Sequence, residues 1–114
     1  MIIAIPVTED GQVDPRFGKA QDVAIAEVNG SKVDSWEVHR VAWGELHDQG
    51  THGSHHARIV RFLLDHAVEA VVINHCGAPM MNTMQKMGLT IAVNATGPAK
   101  EAALQAAQAF AKTE

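Results

Sequence analysis

Cysteine is almost missing from this chain. The single thiol, Cys76, has no partner for an internal disulfide and suits a reducing compartment, so a cytoplasmic protein is expected. Long apolar runs are missing as well. None approaches the roughly 20 residues of a membrane-spanning helix. The opening "MIIAIPVTEDG" has no basic stretch ahead of its apolar one and reads as a strand, not as a secretion signal. Positive charge is in deficit: 9 Lys and Arg against 13 Asp and Glu give a net charge of −4. That argues against a nucleic acid or a membrane surface as a partner held by bulk charge. The first strand, "IIAIP", carries no carboxylate, which argues against a nuclease holding divalent metals on its central strands.

What is present fits one globular domain over residues 1–114, with an ordinary hydrophobic share of 46%. Ile2 to Pro6 is an apolar run suited to a buried strand, and the polar loop "TEDGQVDPRFG" follows it. Val23 to Val28 reads as a second strand, Asn29-Gly30 as a tight turn, and Val33 to His39 as a half-buried third strand. In that third strand Trp36 and Val38 share one face, while Ser35, Glu37 and His39 share the other. Ser54 stands as an N-cap. Beyond it Ile59, Phe62, Leu63 and His66 recur at helical spacing, with Val60, Leu64 and Ala67 beside them. Ala70 to Asn74 is a fourth strand. Pro79 opens a second helix that runs to about Met87 and stops at Gly88. "LTIAV" is a fifth strand, and the Ala-rich "AKEAALQAAQAFAK" is a last helix.

The order is β-β-β-α-β-α-β-α. Right-handed crossovers set the later strands parallel to the first. An α/β fold of three layers is expected: a mixed five-stranded sheet of order 3-2-1-4-5, with strand 2 antiparallel and helices flanking it. The carboxyl ends of strands 1, 3, 4 and 5 then share one rim, where open α/β sheets gather ligands. Four segments meet there: Thr8 to Gly18, Arg40 to Gly53, Asn74 to Ala78, and Asn94 to Pro98.

That rim contains the densest chemistry in the chain. "ELHDQGTHGSHHARIV" holds His47, His52, His55 and His56, four of seven histidines, and Cys76 lies in another rim loop. Imidazole suits Zn, Cu, Fe and Ni, and thiolate is the softer partner. Both must be deprotonated to bind a metal. His55 and His56 fall in the first turn of a helix, where the dipole favours neutral imidazole. The dipole of the helix at Pro79 is expected to lower the pKa of Cys76 in the same way. If the first helix starts a turn early, His52 and His56 share one face at i, i+4. Arg16 and Lys19 add positive charge, and Ser54, Asn74 and Gly77 place polar and backbone groups beside any ligand. The spacing H-x-x-H-H matches no standard zinc motif, so it does not name the metal. The plainer readings stand alongside: His39 and His47 as solvated residues, and Cys76 as a small buried hydrophobe. Met80, Met84 and Met87 read as core, with Met81 off their stripe. His66 closes its helix at the opposite rim, outside the site.

The chain resembles the dinitrogenase iron–molybdenum cofactor biosynthesis family over nearly its whole length. The resemblance rests on "MIIAIPVTEDGQVDPRFGKAQDVAIAEV", "GSHHARIVRFLLDHAVEAVVIN" and "GAPMMNTMQKMGLTIAVNATG", with R-F-G-K-A the most recognisable piece. It implies a ribonuclease-H-like fold. It also implies a carrier, not an enzyme, for the iron–molybdenum cofactor, its precursor or a related cluster such as a molybdenum–copper sulfide. Cofactor-assembly proteins would be its partners, and it would be a monomer or a weak homodimer. Where many relatives have a Gly-rich loop before the first helix, this chain has "HDQGTHGSHH", which strengthens the case for a ligating rim. His47, His52, His55, His56 and Cys76 would be the ligands to a cluster of iron, molybdenum and sulfur, or to Fe, Mo, Cu, Zn or Ni. The remaining readings are a mononuclear metal protein or hydrolase using the histidines, and an interaction module that binds nothing.

Overall fold

A computed structural model describes the backbone of residues 1–47 and 52–112, and the side chains of residues 1–45 and 54–112. Its centre is a five-stranded sheet in the order β3-β2-β1-β4-β5. These are β1 (Ile2–Val7), β2 (Asp22–Asn29), β3 (Lys32–Arg40), β4 (Ala70–Val72) and β5 (Thr90–Ala92). β2 pairs antiparallel with both β1 and β3, whereas β4 runs parallel to β1 and to β5. The order and directions are those expected from the chain of turns and crossovers.

The central strands β1 and β4 are almost wholly buried and apolar at every position, as strands covered on both faces require, whereas the edge strand β3 is largely exposed. Side chains alternate across it with the period of two that the pleat imposes. Ile3, Ile5 and Val7 of β1, Ala24, Ala26 and Val28 of β2, and Ala70 and Val72 of β4 face α4 (Ala99–Lys112). α4 meets them with Ala99, Ala102 and Ala106, small residues that let the helix lie close. Ala4, Val23, Val71 and Ile73 face the other way, against Ile59 and Leu63 of α2 (His52–Asp65) and Met80 and Met84 of α3 (Ala78–Lys86). The Met80 and Met84 stripe is core, as its spacing suggests. No helix among the described residues is long and apolar enough to cross a membrane.

Three local features differ from the sequence reading. The chain after β3 folds into a short helix, α1 (Trp43–His47), instead of running on as loop. α2 begins at His52, two residues ahead of Ser54, so Ser54 lies inside the first turn and is exposed instead of capping it. β4 and β5 are three residues each, shorter than the apolar runs that contain them. The Ile73 amide still donates to Ala92 (2.9 Å) and the Asn94 amide to Asn74 (2.9 Å), so pairing fades gradually into the rim loops. The alternation of β3 holds: Trp36 packs toward α4 with Lys100 over its ring at 5.5 Å, and His39 packs on the opposite face.

Candidate functional site

The rim segments converge because β1, β4 and β5 all finish at the same edge and α2 starts there. The long β1–β2 loop folds back on itself. The Asp14 amide donates to the Pro6 carbonyl (2.9 Å), and buried Asp14 accepts from the Arg16 amide (2.9 Å). This turns residues 17–19 into a single 3-10 turn whose Phe17 is buried and whose Gly18 and Lys19 line the rim. Phe17 anchors that turn by packing edge-on against Trp43 of α1, with ring centres 5.4 Å apart.

His55 ties the turn to α2. Its ring is 4% exposed, and Nε2 lies 2.8 Å from the Gly18 carbonyl oxygen. A carbonyl only accepts, so Nε2 carries the hydrogen and donates. Nδ1 then holds the lone pair, and it faces the Arg58 guanidinium at 3.4 Å. This is the orientation that metal-ligating histidines commonly have, one nitrogen donating to backbone and the other left to bind. In His55 the second nitrogen is already faced by Arg58.

Between the 3-10 turn, the start of α2 and the start of α3 lies a cleft of about 180 Å³. Lys19, His55, His56, Cys76 and Gly77 line it, and Ile59 and Met80 contribute apolar wall. A second cleft of about 360 Å³ adjoins it, sharing Gly18, Lys19, Cys76 and Gly77 and adding Arg16 and His75. Cys76 and Gly77 therefore stand on the ridge between the two. Gly77 is the N-cap of α3 without a side-chain cap, so amides of the first turn are open to solvent or ligand. Pro79 removes one of those donors. Arg16 is largely exposed, with its Nε 3.6 Å from the Asp14 carboxylate.

Thus Arg16, His55, His56, Cys76 and Gly77 are brought to two adjoining clefts from three parts of the sequence. Ser54 is exposed and lines neither cleft. Asn74 spends its side-chain amide on the Ala95 carbonyl (3.1 Å), tying the exits of β4 and β5 together, and lines neither cleft. The side chains of His47 and His52 lie outside the described residues. Among the described residues no three His, Cys, Asp or Glu are grouped around one point as a preformed ion site. Sequence reasoning passed over His75, although it adjoins Cys76 in the same "NHCGAP" loop. It also passed over Gly18, whose carbonyl orients His55.

Cys76 differs from its expectation. The α3 dipole was to hold its pKa down, but burial raises it above the ordinary thiol value. Desolvation penalises the thiolate, and the short helix end does not offset that. The thiol is therefore protonated at neutral pH. Alkylation by iodoacetamide should run slower than for an exposed cysteine at pH 8 and accelerate to a midpoint above that of a free thiol. A midpoint below it would show that the dipole wins.

The sequence matches the family model described as dinitrogenase iron-molybdenum cofactor over residues 1–109. No curated protein matches it. Solved structures share its fold. The protein PH0822, known from a crystal structure, aligns over 89% of this chain and 83% of its own at TM-score 0.71 and 21% identity. The apo form of the orange protein from Desulfovibrio gigas aligns over 98% of this chain and 88% of its own, at TM-score 0.69 and 20% identity. A Thermotoga protein described as a candidate NifB protein of the DUF35 family aligns over 97% and 87%, at TM-score 0.66 and 24% identity.

Proposed function

We propose, since this chain belongs to the dinitrogenase iron–molybdenum cofactor family, that it binds and carries a metal–sulfur group at its loop rim and is not an enzyme. The cargo in this reading is the iron–molybdenum cofactor, its precursor or a related cluster, exchanged with cofactor-assembly proteins. One observation carries the proposal. Cys76 and His56, which are 20 positions apart in the chain, line a single open cleft that Lys19 also lines and Arg16 adjoins. A thiol and an imidazole suit Fe, Cu and their sulfides. The cations and the open α3 amides suit the negative charge such clusters carry.

Two further points support it. The orange protein was solved in a form called apo, a word that implies a bound counterpart, and the Thermotoga relative is named for NifB. The central strands β1 "IIAIPV" and β4 "AVV" carry no acidic side chain. If the sheet is of the ribonuclease-H-like kind, it lacks the carboxylates that metal-dependent phosphoryl chemistry would need there. An open rim built from loops also suits release, which a carrier requires and a closed core site resists.

The test is metal and sulfide analysis of protein purified without a histidine tag. Stoichiometric Mo, Fe or Cu with acid-labile sulfide and a visible absorption band is the expected result. His56→Ala combined with Cys76→Ala should reduce the bound metal at least about tenfold while leaving the fold intact. Undiminished metal in that variant would remove the rim from consideration.

A further inference from the structure

A second histidine cluster lies away from the rim clefts, where β3 packs on the C-terminal end of α2. The rings of His39 and His66 have centres 4.5 Å apart and planes tilted by 53°. Phe62 lies beside both, at 5.9 Å from His39 and 4.5 Å from His66. Trp43 backs Phe62 in turn, edge-on at 5.5 Å. The two imidazoles are therefore held by a packed aromatic wall and do not wave in solvent. Yet Nε2 of His39 is buried and has no hydrogen-bond partner among the described residues. The Glu37 carboxylate stands 4.0 Å from it, beyond hydrogen-bond reach. A buried ring nitrogen that gives up water normally gains a partner in exchange.

We propose that His39 and His66 form a two-imidazole site for a borderline divalent transition cation, Zn2+, Ni2+ or Cu2+, distinct from the rim. Imidazole nitrogen is the preferred donor for these ions, whereas Mg2+ and Ca2+ require oxygen ligands. Two imidazoles on one tetrahedral ion at about 2.0–2.1 Å would put their ring centres roughly 5 Å apart. The observed 4.5 Å needs only a small opening of the pair. Glu37 lies on the same face of β3 as His39, two residues earlier, and its side chain is 75% exposed and able to swing inward. No three donors among the described residues are preset around one point, so the remaining coordination positions would fall to the Glu37 carboxylate or to water admitted as the pair opens. The ion would pin the edge strand β3 to α2, the helix that carries His55 and His56.

The site is independent of the rim proposal, and one experiment separates them. Zn2+ is titrated into untagged protein while the imidazole nitrogen resonances are followed residue by residue. The His39 and His66 signals should move together and saturate at one ion. His66→Gln, beyond the end of the helix, should weaken the response at His39 by roughly tenfold or more. His39→Gln should do the same at His66, with circular dichroism confirming the fold. The proposal is overturned if the His39 and His66 signals stay still in excess Zn2+, whatever the rim histidines do. It is also overturned if His39 responds with unchanged affinity in the His66→Gln protein.

Discussion

Replacing Trp43 by alanine should destabilise the protein by about 3–5 kcal/mol, the range for truncating a large buried aromatic. That is a large part of the roughly 5–15 kcal/mol by which domains are stable. It corresponds to a loss of melting temperature on the order of 10–20 °C. Trp43 is 1% exposed and sits where three elements meet. It packs edge-on against Phe17 of the 3-10 turn at 5.4 Å and against Phe62 of α2 at 5.5 Å. Its amide donates to the Ala20 carbonyl (2.9 Å), and Val41 and Ala42 both donate to Gln21. Ala42 adopts a left-handed φ of 52° to bring the indole in. That conformation disfavours a residue with a Cβ and is held by the packing around it. Gly44 is the counterpart: a Cβ there would stand 2.7 Å from the Lys19 carbonyl oxygen, so α1 can approach the turn only with glycine at that position. Thermal denaturation followed at 222 nm tests this. Trp43→Phe should restore much of the loss, because an aromatic ring still reaches both neighbours. A Trp43→Ala protein within 1 °C of the wild type would show that the aromatic wall is incidental.

The second large effect is expected at His55, and it separates holding the site from ligating within it. His55→Ala leaves the Gly18 carbonyl without its donor, at about 1–3 kcal/mol for a buried polar group left unpaired. It also frees the Gly18–Lys19 wall of the cleft, so metal content should fall with stability. His55→Gln keeps an N–H able to reach a carbonyl and should recover stability. If His55 acts only by holding the wall, metal content recovers along with it. If Nδ1 ligates once Arg58 swings aside, stability returns and metal content does not. His55→Ala with unchanged melting temperature and unchanged metal would mean the 2.8 Å contact to Gly18 contributes to neither.

The residues that were legible in the sequence and those that were not divide along a physical line. The parallel strands announce themselves as short apolar runs, since a sheet covered on both faces has no polar position to dilute the signal. Asn29-Gly30 and Gly88 mark their turns because both glycines need a positive φ, 62° and 81° here. α4 is readable to its ends because fourteen residues of high propensity leave little alternative. α1 was not legible: five residues with a glycine carry too little periodicity, and the helix forms only because Trp43 finds Phe17 and Phe62. The start of α2 was misplaced for a related reason. Ser54 is a good local cap, but the helix extends two residues beyond it, back to His52, so local propensity did not decide the boundary.

The same division runs through the chemistry. Composition and topology, which depend on spacing along one strand or helix, were enough to bring His55, His56 and Cys76 to one edge of the sheet. Which nitrogen of His55 is committed, the raised pKa of Cys76 and the engagement of Asn74 with Ala95 depend on neighbours far away in the chain. So does the meeting of His39 with His66, one assigned to solvent and the other to the opposite rim when each was taken with its own element. Periodicity reports the face on which a side chain emerges. Its partner, its burial and its protonation are set by whatever the other layers bring against that face, and those came only with the packed fold.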